Sequence, residues 1–163
     1  MTSTRPTRVT DREETPAERA DRNWNDLLQE LRVTQTGVAI LFSVLLTVPF
    51  SQRFEDLNAF GRQVYLAALL LAAAAVVALT GPVAYHRLLF ARGLKTQIVR
   101  VSHRMAQAGL VLLGLSVVAV LLLVCDLLVP RSAAVLIAAL FGVGTAALWL
   151  VPAVAQRREG SDG

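Results

Sequence analysis

The sequence holds little that catalysis could use. Its one cysteine, Cys125, excludes an intramolecular disulfide, and a lone thiol beside an apolar run reads as a small buried hydrophobe before it reads as a nucleophile. No P-loop, GxSxG or HExxH is present, nor a Ser/His/Asp set in a plausible pocket. The expectation is a protein that is not an enzyme and takes no cofactor or metal. Charge is scarce as well: 17% of the 163 residues are charged against 55% apolar, too few to clothe an ordinary soluble domain. The formal charge of +4 would suit nucleic acid if the cations shared a soluble face. They flank apolar segments instead, which sets nucleic acid aside in favour of membrane topology.

What is there divides by composition. Residues 1–14 are polar, mixed in charge and almost free of large apolar groups, so they cannot bury enough surface to offset ordering entropy, and a disordered tail is expected. The first apolar run begins only near Val33, so these residues do not read as a signal peptide. Thr15, Pro16 and Glu18 supply the N-cap, N1 and N3 pieces of a capping box, which starts a helix over residues 15–32. Along it Trp24, Leu27, Leu28 and Leu31 form an apolar stripe, while Glu18, Arg22, Asp26 and Glu30 occupy another face. This amphipathic helix leads into four charge-free stretches, 33–52, 63–85, 105–125 and 132–156. Each is long enough, at about 1.5 Å per residue, to cross a hydrocarbon core of about 30 Å. Because they are apolar all round the helix, lipid is their solvent. The fold class expected is an all-α integral membrane four-helix bundle spanning residues 33–156, with a polar tail at 157–163.

Arginine and lysine set the orientation. Six cations lie in the amino-terminal arm, five between the second and third spans and two in the carboxyl tail, against Arg53, Arg62 and Arg131 on the other side. The positive-inside rule then puts both termini and the middle loop in the cytoplasm. The outer connections are short: Phe54, Leu57 and Phe60, at steps of three, suit a helical turn on the interface, and Pro130 makes a tight turn between the last two spans.

Three groups of residues stand out as candidate sites. In the fourth span Ala134, Ala138, Gly142 and Ala146 recur every four residues, a small-residue stripe suited to packing against a helix of this chain or of a second copy. The middle loop carries Arg87, Arg92, Lys95, Arg100 and Arg104 with no acid, a segment expected to contact anionic lipid on the cytoplasmic face. Glu18, Asp21, Asp26 and Glu30 of the amino-terminal arm are its alternative partners within the chain. The spans offer one ionisable candidate for an ion or proton site, Asp126, at the outer end of the third span. Its position also suits a hydrated helix-end carboxylate or a partner of Arg131. His86 and His103, near the inner ends of two spans, each adjoin an arginine and read as interfacial polar residues before they read as haem or metal ligands.

The runs LQELRVTQTGVAILFSVLLTVPFSQRF, from Leu28 to Phe54, and PVAYHRLLFARGLK, from Pro82 to Lys95, carry a likeness. The chain resembles a family of small uncharacterised integral membrane proteins of high-GC bacteria, whose genomes also favour arginine over lysine as here, where Lys95 is the sole lysine. The resemblance implies four spans and the bacterial plasma membrane. Members are sometimes labelled sodium:proton antiporters, which would imply cation-coupled transport. The residues themselves favour a non-enzymatic scaffold or accessory subunit, alone or as a homo-oligomer, with a small proton or cation transporter or channel subunit as the alternative.

Overall fold

The computed structural model describes residues 15–89 and 95–159, with side chains at 15, 22, 26, 29–85 and 101–151. The tail expected at 1–14, and Arg92, lie outside the described residues. Four long helices, α1 (Pro16–Thr47), α2 (Ala59–Leu89), α3 (Lys95–Leu128) and α4 (Arg131–Glu159), make up the chain, with two short 3-10 turns, Val48–Phe50 and Gln52–Phe54, after α1. Each contains a segment long and apolar enough to cross a membrane. The fold is therefore the expected all-α four-helix arrangement.

The expected amphipathic helix and first span are one continuous helix. Nothing between Ala17 and Thr47 breaks it, and it gives way to a 3-10 turn only where Pro49 arrives. Likewise α3 begins at Lys95, so residues 95–104 of the basic connection continue the third span as a helical extension of about 14 Å. Proline also sits inside α2, at Pro82, where it is fully buried. A membrane helix tolerates the lost backbone bond where neighbouring helices enclose it.

The centre of the bundle is the α2–α3 hairpin. Buried positions along α2 are Gly61, Tyr65, Ala68, Ala72, Ala75, Leu79 and Pro82, alternating steps of four and three. Along α3 the same alternation runs through Ser102, Ala106, Gly109, Ser116 and Leu123, with Leu113 and Val120 half-buried between them. A 3.5-residue repeat keeps one seam facing its partner over the whole length. The seam is built of small side chains because, in lipid, helices gain association energy from close backbone approach and not from a hydrophobic force. At Gly109 an added Cβ would lie 2.6 Å from Leu79 Cγ, which shows how near the two backbones come.

α1 lies against this hairpin through Leu31, Val38 and Leu45, one residue per heptad. α4 packs on α3 from the other side. Among the described residues α1 and α4 have no substantial contact with each other, so the bundle is open between its first and last helices. The large apolar side chains on the remaining faces, among them Ile40, Leu70, Leu115, Leu140 and Leu148, are exposed to the surrounding medium. For a chain in a bilayer that medium is hydrocarbon.

Candidate functional site

Asp126 lies in the last turn of α3, where a carboxylate is disfavoured by the negative end of the helix dipole. The chain leaves α3 through Val129, whose N–H donates to the Cys125 carbonyl at 2.9 Å, and re-enters a helix at once. Pro130 makes this possible: it lacks an N–H, and its carbonyl accepts the N–H groups of Ala133 and Ala134. The turn returns the Arg131 guanidinium to Asp126. Its Nε donates to Oδ1 at 3.1 Å and its Nη2 to Oδ2 at 3.4 Å. The Asp126 side chain is only 6% exposed, whereas that of Arg131 is 51% exposed, so the carboxylate reaches solvent largely through its cation.

Arg131 holds more than its neighbour. Its Nη2 also donates to Asn58 Oδ1 at 3.4 Å, and its guanidinium lies 4.1 Å from the centroid of the Phe60 ring, a cation–π contact. Asn58 Oδ1 in turn accepts the Gly61 N–H at 2.9 Å and caps the start of α2. One guanidinium thus ties the end of α3 to the beginnings of α2 and α4. Nearby Phe54 meets Tyr65 edge to face, with centroids 5.0 Å apart, and Leu57 is buried, so the α1–α2 connection folds over this end of the bundle.

Deeper in the bundle, polar side chains serve the same end. Tyr65 donates its hydroxyl to the Leu45 carbonyl at 2.7 Å, Gln35 its amide to the Leu79 carbonyl at 2.8 Å, and Ser116 its hydroxyl to the Ala68 carbonyl at 2.9 Å. Each bond joins two helices. The hydroxyls of Thr34, Thr36, Ser43, Thr47, Thr80 and Thr145 bond back to carbonyls of their own helices. Among the described residues the buried side-chain polar atom without a partner is Ser102 Oγ, close to Met105, which packs under Gly81.

The other sequence candidates fall as follows. Ala134 and Ala138 are buried and Gly142 is half-buried, whereas Ala146 is exposed, so the expected stripe packs through its first three positions and not its fourth; the position of a Cβ at Gly142 would be 3.5 Å from Val118 of α3. Arg104 is exposed; Arg87 belongs to α2 and Lys95 and Arg100 to α3, their side chains outside the described residues. His103 is exposed, and the His86 side chain is not among those described. Asp26 and Glu30 are exposed on α1. No group of three His, Cys, Asp or Glu able to hold a metal ion occurs among the described residues. Sequence reasoning missed Asn58 and Phe60 as partners of Arg131. The Asn-x-x-Gly start of α2 carries a capping signal, but nothing local reports a contact with a residue more than seventy positions away.

Compared with known protein families, residues 13–153 match the model of a family of unknown function, DUF6328. The match takes in nearly all of the four helices. Neither the search of curated proteins nor that of solved structures returned a match.

Proposed function

The chain belongs to this family of unknown function, and we propose that it is a non-enzymatic membrane scaffold or accessory subunit. The observation that supports the reading is the use of its polar groups. Between Val33 and Val151 the carboxylates are Glu55 and Asp56 in the first outer connection and Asp126 at the end of α3, and Asp126 is engaged on both oxygens by Arg131. A coupled transporter needs a carboxylate that two aqueous sides can reach in turn, nearer the midplane. Among the described residues Gln35, Tyr65 and Ser116 bond helix to helix and the threonine hydroxyls bond back to their own helices, with Ser102 the buried exception, an arrangement that offers little polar lining for a pathway.

The scaffold sits in the bacterial plasma membrane with both termini in the cytoplasm, as the bias of arginine and lysine favours. Charge then gathers on the inner side, on the helical segments 16–32 and 95–104. Arg87, Arg92, Lys95, Arg100 and Arg104 contact anionic lipid there, each cation contributing roughly 1 kcal/mol near the surface. The acids of α1, Asp26 and Glu30 among them, compete for the same cations. A second copy or another membrane protein meets the exposed faces of α1 and α4.

The test is flux. Proteoliposomes holding the purified chain are expected to pass protons and sodium no faster than empty ones. Flux in the wild type that disappears in Asp126→Asn would instead establish the transporter alternative.

A further inference from the structure

The seam between α2 and α3 keeps one register along its length. Two contacts fix it: the Ser116 hydroxyl of α3 donates to the Ala68 carbonyl of α2 at 2.9 Å, and a Cβ at Gly61 would lie 3.6 Å from Leu123. The helices are antiparallel, so a heptad forward along α2 goes with a heptad back along α3. From Ala68 and Ser116, one such step pairs Ala75 with Gly109 and a second pairs Pro82 with Ser102, all four of them buried. The contact of Met105 with the Cβ position of Gly81 agrees with that placement. Ser102 therefore stands to the Pro82 carbonyl as Ser116 stands to the Ala68 carbonyl. Yet the corresponding bond is not made: Ser102 is fully buried and its Oγ has no partner.

The reason lies in α2. Pro82 has no N–H to give the Ala78 carbonyl, and its ring crowds that carbonyl, so a helix bends away from the side on which its proline sits. Here that side is the seam with α3. The two preceding residues weaken the helix at the same point. The Thr80 hydroxyl bonds back to the carbonyls of Val76 and Val77 at 2.8 and 3.2 Å, and Gly81 has little preference for helix. Just before the bend, Gln35 of α1 holds the Leu79 carbonyl at 2.8 Å. Beyond it, among the described residues, no side-chain hydrogen bond joins α2 to another helix. One side of the bend is pinned and the other is free.

We propose that residues 80–82 are a hinge and Ser102 its catch. The end of α2 swings between the open arrangement described above and a closed one, in which the Pro82 carbonyl accepts the Ser102 hydroxyl. A carbonyl has two lone pairs, so this bond adds to the one made within the helix. Closing is favoured because it satisfies a buried hydroxyl that otherwise has no partner. It draws residues 83–89 of α2 toward the start of α3, and so changes the spacing between Arg87 and the cations Lys95 and Arg100 at that end of the bundle.

The experiment measures distances between nitroxide labels on the full chain in lipid nanodiscs, with Cys125→Ser removing the native thiol. One label pair uses Ala84→Cys and Gln107→Cys, exposed positions that report the swing; the other uses Ala67→Cys and Leu115→Cys, exposed positions on the pinned side. The first pair should give two distances and the second pair one. Ser102→Ala should lower the ratio of short to long distance roughly fivefold, the worth of one hydrogen bond. Pro82→Ala, which restores the helix, should leave the short distance alone. A single distance for the first pair in the otherwise wild-type chain overturns the hinge, as does a Pro82→Ala chain that keeps the wild-type ratio. Two distances whose ratio Ser102→Ala leaves unchanged overturn the catch.

Discussion

Tyr65 shows what polar residues do in this chain. It lies on the buried seam of α2, with its ring against Phe54 and its hydroxyl on a carbonyl of α1. In hydrocarbon a donor with no partner is costly, and water is not at hand to replace one. Tyr65→Phe should keep the ring packing, lose the bond at Leu45, and lower stability by about 1 kcal/mol, measured by unfolding in mixed detergent micelles. An unchanged midpoint would mean that the hydroxyl is equally satisfied elsewhere. At the same scale, Asp126 was legible as a helix-end carboxylate with Arg131 as a partner, because five residues and a proline separate them. The additional contacts of Arg131 with Asn58 and Phe60 were not, since they depend on how α2 and α4 meet.

Among elements, α2 and α3 are the tightest pair, and glycine and alanine make them so. An alanine at Gly109 would press on Leu79, which is itself fully buried and has no room to yield. Gly109→Ala should therefore cost about 1–3 kcal/mol, read from the same unfolding midpoint. Gly142 on α4 is less confined, because a Cβ there would sit in ordinary contact with Val118. Gly142→Ala should be nearly neutral, while Gly142→Leu should force α4 from α3 and lower stability by about 1–3 kcal/mol. Equal effects of alanine and leucine would contradict that geometry. The number of the spans could be read from the sequence because charge-free length is a direct consequence of bilayer thickness. The α2–α3 seam could not, since Ala68, Ala72 and Ala75 lie in a run apolar on every side and hydrophobic contrast marks no face. Small-residue spacing is the signal left to mark a face there, and a regular step of four stands out only in α4. The continuity of α1 was hidden for a different reason: composition changes at Val33, but backbone preference does not.

At the scale of the whole molecule, a hairpin is flanked by two helices, tied at one end by Arg131 and carrying charge on helical segments at the other. In the proposed reading Asp126 belongs to that tie, with Arg131 as its partner, in place of serving as an ion site. A double-mutant cycle on Asp126→Asn and Arg131→Gln, with unfolding free energies measured in detergent, tests this most directly. Each single variant should be less stable than wild type, and the pair should couple by about 1 kcal/mol, a value moderated by the exposure of Arg131. Single variants as stable as wild type, with no coupling between them, would contradict it and leave the Asp126 carboxylate free for other chemistry.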